Sequence, residues 1–252
     1  MTRRRSLIIA TIVIIAIVLV AVASYFISST TKDNTSAATP TAPSEPTRIS
    51  DNGFPVSQFR ANEGGTKTTA DGQTRIGYTA SCDDAVRAAI NYIPAESVSA
   101  NGWATQEKTL KHILAKNEDA TKYIEAFRSS ALEDGYVSKI SILEPQIFNL
   151  VSCKSGKSAT VAVAQRIETD AYKIGDKTVP ASVDIRMAEQ HLVWENEDWK
   201  LDLSSPYTRP EAQLLYRGNM KEPSSTKEIL GDLFIDSDGN PLSRDGWMEL
   251  SR

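Results

Sequence analysis

The side chains that most often carry out chemistry are few in this chain and lie far apart along it. His112 and His191 are its two histidines, and neither is flanked by residues at metal-ligand spacing. The chain has no Gly-x-Ser-x-Gly sequence, no glycine-rich phosphate loop and no recognisable catalytic cysteine–histidine pair. We therefore expect no catalytic, metal-binding or cofactor-binding residues and no enzymatic activity.

One acidic segment resembles part of a calcium loop. Asp236 and Asp238 precede Gly239, but an EF-hand loop needs a third ligand before its glycine and a glutamate six residues after it. Here that position holds Asp245, so we interpret the segment as an Asp-Gly turn rather than a metal site.

The two cysteines, Cys82 and Cys153, both follow a segment that is expected to take the chain out of the cytoplasm. In an oxidising compartment an even pair of cysteines favours a disulfide over a metal or redox site. Such a bond closes a loop of about 70 residues, which is worth about 4 kcal/mol in the chain-entropy model. Two buried free thiols are the alternative.

That segment is Leu7–Ile27, an uncharged apolar run that is long enough as a helix to cross a hydrocarbon core of roughly 30 Å. Arg3–Arg5 precede it, so we expect residues 1–6 in the cytoplasm and the rest of the chain outside. A cleaved signal peptide is the alternative, because Ala21–Ala23 has the A-x-A pattern. The apolar run continues past that point, which favours a retained single-pass anchor at 7–27 in the cell membrane.

The charge of the chain argues against one class of partner. It contains 28 lysines and arginines against 32 acidic residues, a net charge of −4. Because nucleic-acid binding requires a basic surface, we expect no nucleic-acid partner. The expected partners are the membrane, through the single span, and other envelope proteins.

Composition divides the rest of the chain into three parts. Residues 28–77 are expected to form a disordered tether and an arm, since 29–47 are rich in Ser, Thr, Ala and Pro and Phe54 and Phe59 are apolar enough to pack. A folded domain is expected at 78–205, beginning near Tyr78. Residues 206–252 are expected to be an extension that packs on this domain.

Apolar spacing predicts the elements of the domain. Helical spacing indicates a helix capped near Ser81, a second block after Gly102, and a third at about Asp119–Leu132. From Tyr136 the apolar residues alternate, and the patterns predict the strands and final hairpin Ala159–Ile167, Val179–Met187 and His191–Leu203. Helices followed by antiparallel strands indicate an α+β fold with helices packed on one face of a curved sheet.

The last hairpin carries a resemblance. Its Trp194, followed by Trp199-Lys200-Leu201, is similar to the closing strands of the nuclear-transport-factor-2-like, or cystatin-like, superfamily. The resemblance covers roughly Tyr78–Leu203 and implies a cone-shaped fold. An anchor, a tether and this fold together resemble the inner-membrane assembly subunits of type IV secretion and conjugation systems. They also resemble single-span actinobacterial proteins of unknown function.

Cone-shaped domains of this superfamily enclose a cavity in which a tyrosine and an aspartate do acid–base work in some members. The resemblance makes Tyr92, Tyr123, Tyr172 and Asp184 the residues to inspect. Tyrosines at helical spacing beside isoleucines are typical of a packed core, so we assign them no catalytic role.

Trp247 and Tyr216 are the candidate partner contacts, because exposed aromatics anchor interfaces. The alternative is that both cover the domain core.

Three functions follow from these observations. The first is a membrane-anchored extracytoplasmic interaction or assembly protein, a component of a conjugative or secretion apparatus. It predicts self-association and apolar patches on the outer sheet face. The second is a binding module for a small ligand or an envelope polymer, which predicts a pocket with converging polar groups. The third, an enzyme, needs a titratable pair at a recognisable spacing, and the sequence has none.

Overall fold

The computed structural model describes residues 48–99, 101–133, 136–204, 214–218, 226–235 and 239–251. The predicted membrane helix at 7–27 and the tether up to residue 47 lie outside these ranges. Within them, no helix combines the length and the apolar character that a membrane span requires.

The helices Cys82–Tyr92, Trp103–Ile113 and Glu118–Glu133 lie where the apolar spacing predicts them. Ser81 caps the first of them, because its Oγ accepts the backbone N–H of Asp84 at 3.1 Å. A 3₁₀ segment, Ile93–Glu96, follows this helix directly. Within the described residues the α-helices are α1 (Cys82–Tyr92), α2 (Trp103–Ile113), α3 (Glu118–Glu133) and α4 (Thr226–Leu233).

The strands form one seven-stranded antiparallel sheet and two short ribbons, β1–β2 and β6–β7. The α+β prediction is therefore confirmed. The strands are β1 (Lys67–Thr68), β2 (Arg75–Ile76), β3 (Ser138–Ile142), β4 (Ile147–Lys154), β5 (Ser158–Thr169), β6 (Tyr172–Ile174), β7 (Lys177–Val179), β8 (Ser182–Glu195), β9 (Asp198–Leu201), β10 (Leu214–Gly218) and β11 (Trp247–Glu249).

The two long strands β5 and β8 pair at the centre of the large sheet. The pair runs in register from Ser158 opposite Val193 to Thr169 opposite Ser182. On its other edge, β5 pairs with β4 along one half and with β3 along the other. On its other edge, β8 pairs with β9 and with β10 in the same way. β11 adds to the free edge of β4.

Both faces of this sheet are covered. Along β5, Val161 and Val163 belong to a core with α1, α2 and α3, whereas Ala162 and Ala164 belong to a second core with α4. We call these the helix face and the α4 face. The expectation that the helices pack on one face is wrong in this respect: α4 lies on the other face, where the two alanines leave room for it.

The sequence predicts that the folded domain begins near Tyr78, but in the structure the packed unit begins upstream of that residue. Phe54 and Phe59 are 1% and 3% exposed, in the second and first core respectively. The arm is held to β11 by two backbone hydrogen bonds of 2.8 Å, from Ser57 to Glu249 and from Glu249 to Pro55. The arm is thus part of the fold because its aromatics find partners that are remote in sequence.

β8 is one strand where the pattern indicates two. The apolar alternation is interrupted at Glu189 and Gln190, yet both residues are buried, one on each face of the strand. Between β5 and β8, the strands β6 and β7 form a short separate hairpin.

A buried carboxylate fastens β9 to the arm. Asp198 accepts the backbone N–H groups of Gly77, Tyr78 and Trp199, each at 3.0 Å. The Nζ of Lys200 lies 3.4 Å from the same carboxylate. Asp198 is 5% exposed and Lys200 7%, so these contacts are shielded from water.

The neighbouring residues of β9 extend this network to the helices. Lys200 donates to the backbone carbonyl of His112, at the end of α2, at 2.7 Å. Tyr92 of α1 donates its hydroxyl to the carbonyl of Trp199 at 2.8 Å, and the Trp199 indole donates to the carbonyl of Thr79 at 2.9 Å. β9 therefore joins the arm, α1 and α2.

We predict that Asp198→Ala lowers the free energy of unfolding by about 3 kcal/mol, because it removes the acceptor of three shielded N–H groups and one of the two acceptors of the buried Lys200 ammonium. The measurement is denaturant unfolding of the full-length protein in detergent, followed by tryptophan fluorescence. Asp176→Ala, at an exposed position in the β6–β7 turn, is the control and should leave the midpoint unchanged. Equal midpoints for the two variants would contradict the assignment.

Cys82 and Cys153 form a disulfide, with their Cα atoms 5.9 Å apart. The bond ties the start of α1 to β4, across 71 positions of sequence. The pairing predicted from the cysteine count is present in the structure.

We predict that Cys82→Ser combined with Cys153→Ser lowers the free energy of unfolding by about 4 kcal/mol, because the unfolded chain regains the entropy of the open loop. Denaturant unfolding with and without dithiothreitol measures the effect. Reductant should shift the midpoint of the wild-type protein and leave that of the double variant where it is. A wild-type midpoint that is insensitive to reductant would count against a stabilising bond.

Candidate functional site

The register of β5 and β8 places a row of polar residues on the helix face. Gln190 lies opposite Val161, and Arg186 lies opposite Gln165. The 3₁₀ segment after α1 brings the side chain of Glu96 to the same row. We call this group the polar recess; it consists of Glu96, Ile142, Gln165, Ile167, Arg186 and Gln190, with Asp184 at its edge.

Two hydrogen bonds order the polar recess. Gln190 Nε2 donates to Glu96 Oε1 at 3.0 Å, and Arg186 Nε donates to Gln165 Oε1 at 3.1 Å. Gln165 is fully buried, and its Nε2 has no hydrogen-bond partner in the part of the chain that the structure describes. A buried donor without a partner costs free energy, so this group has an unused capacity to bind an acceptor.

The burial of the helix face changes along the sheet. Val161 and Leu192, near the β8–β9 hairpin, are essentially inaccessible to solvent. Toward the other end, Ile142, Ile167 and Arg186 are only partly buried. The polar recess therefore lies where the core gives way to solvent, and it can be reached from outside.

Glu96 is the residue of the polar recess whose ionisation is most altered. Burial raises the pKa of its carboxyl group to about 7, although the positive charge of Arg186 and the hydrogen bond from Gln190 act in the opposite direction. A carboxyl group of this kind changes its charge near neutral pH.

The two histidines do not come together. His191 lies on the α4 face of β8, with its Nδ1 3.2 Å from Thr160 Oγ1 and its Nε2 3.5 Å from a carboxylate oxygen of Glu189. Burial lowers the pKa of His191, and the negative charge of Glu189 opposes that shift. His112 lies on α2, where burial and the charge of Lys200 lower its pKa.

The contacts of His191 put a hydroxyl, an imidazole and a carboxylate in sequence, an order also found in nucleophilic hydrolases. Here Thr160 and His191 are directly opposed residues of neighbouring strands, and Glu189 is two positions along the same strand. Cross-strand neighbours of this kind pair for structural reasons, so we assign them no catalysis.

The tyrosines named in the sequence analysis serve packing. Tyr92 is fully buried, and burial raises the pKa of its hydroxyl, which is bound to a backbone carbonyl. The ring of Tyr123 packs on Phe127 at 4.3 Å, and that of Tyr172 packs on Tyr136 at 5.1 Å. Asp184 does lie on the helix face, at the edge of the polar recess.

Trp247 is not an exposed partner contact. It is 3% exposed, and its ring packs edge-on against Phe234 at 5.4 Å in the second core. Trp247 instead covers the core, which is the alternative that the sequence leaves open, because Phe234, directly after α4, packs against it. For Tyr216 the structure describes the backbone, which pairs with Ile185 in the β10–β8 ladder, but not the side chain.

The acidic segment of the possible calcium loop, at 236–238, lies outside the described residues. Among the residues that the structure does describe, no three histidine, cysteine or acidic side chains are arranged to hold a metal ion.

A second concavity lies between α2 and α3. It is a groove of about 650 Å³ whose floor is formed by buried Leu114, Ala120 and Ile124. Its rim carries charges of both signs, contributed by Glu107, Lys111, Lys116, Glu118, Glu125 and Arg128. We call it the α2–α3 groove.

Sequence reasoning missed the polar recess, although one signal for it exists. In the run ATVAVAQRI, Gln165 falls on the same alternating phase as Val161 and Val163, where an apolar residue is expected. A polar side chain on the buried phase of a strand is unusual enough to merit attention. Glu96 gives no such signal, because a short 3₁₀ segment has no periodicity to break.

We predict that the protein loses stability as the pH rises from about 4.5 to about 7, because folded Glu96 binds its proton more tightly than unfolded Glu96 does. The stabilisation is complete below the unfolded pKa and is lost as the pH passes the folded pKa; it amounts to at most about 3 kcal/mol. Thermal unfolding of the wild-type protein and of Glu96→Gln at pH 5 and pH 8 tests this. The difference in melting temperature between pH 5 and pH 8 should be much smaller for Glu96→Gln than for the wild-type protein. An equal difference in both proteins would refute the assignment.

Comparison with known proteins gives one match. Neither the curated proteins nor the solved structures contain a match to this chain. A family model described as a domain of unknown function, DUF8175, matches residues 26–215, a range that includes the arm, the first three helices and the strands of the polar recess. The chain belongs to the DUF8175 family.

Proposed function

We propose that the chain is a single-pass, membrane-anchored interaction protein whose folded unit lies outside the cytoplasm and docks another envelope protein, as a component of a conjugative or secretion apparatus. The observation that carries the proposal is the α2–α3 groove, a concave surface with an apolar floor. The basic residues before the apolar run at 7–27 and the disulfide support the location, since disulfides persist in oxidising compartments.

The α2–α3 groove suits a protein segment better than a small polar molecule. Leu114 and Ile124 form the apolar floor and are themselves buried, so a partner segment in the groove gains packing contacts with them. The occupant to which we commit is an extended or helical segment with apolar side chains on one side and charges of both signs beside them.

The rim of the groove is arranged for such a partner. Glu107 pairs with Lys111 at 2.5 Å and lies 3.7 Å from Arg128, whereas both basic side chains are more than half exposed. Exposed ion pairs contribute little to stability but fix the register and specificity of an interface.

The outer sheet face, where the sequence predicts apolar patches for docking, is a less suitable surface. Its apolar residues, among them Ile185 and Met187, are buried under α4 and Trp247. The proposal therefore places docking on the helices.

The cone-shaped fold is part of the same proposal. Its support is the antiparallel sheet, in which β5 pairs with β3 and β4 on one edge and β8 pairs with β9 and β10 on one edge, with α1 to α3 on the helix face. The fold of the nuclear-transport-factor-2-like superfamily combines a sheet and helices in a similar way, as the hairpin at Trp194 implies.

A second candidate function, binding of a small ligand or an envelope polymer, is favoured by the polar recess. Its converging polar groups and partly exposed isoleucines meet the expectation for a ligand site.

We predict that a photoreactive amino acid at Thr121, an exposed position of the α2–α3 groove, crosslinks the full-length protein to another envelope protein in its native membrane. The same amino acid at Lys173, exposed in the β6–β7 hairpin, is the control and should give no adduct. Mass spectrometry of the adducts identifies the partner.

Channel or coupling-ATPase subunits crosslinked from Thr121 alone would support the proposal. Adducts of equal yield from both positions, or none from Thr121 in membranes where the protein is abundant, would overturn it.

A further inference from the structure

We propose that the polar recess binds a small organic monocarboxylate, whose carboxylate contacts Arg186 and Gln165 and whose apolar body lies against Ile142 and Ile167. The inference rests on the second candidate function, ligand binding, and does not depend on docking at the α2–α3 groove.

The donors are in place and unused. Of the guanidinium donors of Arg186, only Nε has a hydrogen bond within the described part of the chain, and it goes to Gln165 Oε1 at 3.1 Å. Gln165 Nε2, on the same fully buried side chain, has none there. A carboxylate accepts from a guanidinium and an amide together, and such charge-assisted bonds are stronger than neutral ones.

Arg186 and Glu96 lie near each other without forming an ion pair. Arg186 is close enough to lower the pKa of Glu96, yet no ion pair within 4 Å joins them in the described part of the chain. Glu96 is instead held by Gln190 at 3.0 Å. A guanidinium that faces a carboxyl group without contacting it is open to another acceptor.

The single positive charge of Arg186 matches an anion with one negative charge. Arg186 is the one cation that β8 presents on the helix face, and Asp184 lies two positions along the same face. A monocarboxylate requires only the charge that Arg186 offers.

The apolar side of the polar recess accounts for the body of the ligand. Ile142 lies opposite Gln165 in the β3–β5 ladder, and Ile167 follows two positions along β5, so both share the face of Arg186. Both isoleucines are only partly buried. A short alkyl chain that covers them gains about 25 cal/mol for each Å² removed from water.

Glu96 makes the binding depend on pH. On β8 the groups that act on its carboxyl are Arg186 and the neutral Gln190; on β3, which packs against its segment, Ser138 and Ile140 are uncharged. When Glu96 loses its proton, its charge competes with the ligand for Arg186. Affinity therefore falls as the pH rises through about 7.

The test is isothermal titration of the full-length protein in detergent with butyrate and, as an uncharged match, n-butanol, at pH 6 and pH 8, with empty micelles as the blank. We expect butyrate to bind at pH 6, more weakly at pH 8, and n-butanol not to bind. Arg186→Gln should weaken butyrate roughly tenfold or more, as the loss of a charge-assisted pair implies.

The matched control is Arg166→Gln, because Arg166 is the residue next to Gln165 on β5 but lies on the opposite face, paired with Glu168 at 2.8 Å. It should bind butyrate as the wild-type protein does. Gln165→Leu is a second variant that removes the unpaired donor and keeps the bulk; it too should weaken binding. Glu96→Gln should bind equally at both pH values.

Equal affinity of the wild-type protein and Arg186→Gln for butyrate would overturn the inference, provided that thermal unfolding shows both proteins to be folded. Binding of n-butanol but not butyrate would also overturn it and would leave the ligand-binding function standing. No heat from either compound at millimolar concentration would overturn the monocarboxylate class, and the Thr121 crosslink would still decide the docking function separately.

Discussion

The buried carboxylate of Asp198 is the interaction on which the rest of the structure depends. A charge that is 5% exposed is tolerated only where several donors meet it, and here the arm and β9 supply three backbone N–H groups. Because Trp199 and Lys200 follow it directly, the same short strand also holds α1 and α2. The position of the helices over the sheet, and hence the shape of both concavities, follows from this junction.

The helix face of the sheet divides into a closed half and an open half. Near the hairpin, Val161, Val163 and Leu192 are covered by the helices and form a dry core. Toward the far end, the same face carries Arg186 and Gln165 and is partly exposed. In the open half Arg186 is partly exposed to water, whereas Gln165 is buried beside it. A stable core and a candidate site thus share one pair of strands.

Sequence patterns predict the parts of this fold that depend on local spacing. The helices after Ser81 and the hairpin at Trp194 follow from periodicity and turn residues. The burial of Trp247 does not, since it depends on α4, to which no local pattern connects it. Of the candidate site, Gln165 leaves a trace in the alternation of its strand. Glu96 and Arg186 cannot be recognised as part of a site from local sequence. They come together only through the register of β5 and β8 and the position of the 3₁₀ segment after α1.

The contact between the arm and β11 has a consequence for the order of biosynthesis. Phe59 accepts a hydrogen bond from Ser251, 192 positions later, so a ribosome that adds 5–20 residues per second needs roughly 10 to 40 s to supply the second partner. During that interval the α4 face of β5 and β8 has no cover from α4 or Trp247. Cys82 and Cys153 emerge earlier and can pair while that face is still open. The nascent chain therefore passes through a stage with one covalently locked core and one unprotected apolar surface, which is when a chaperone would bind it.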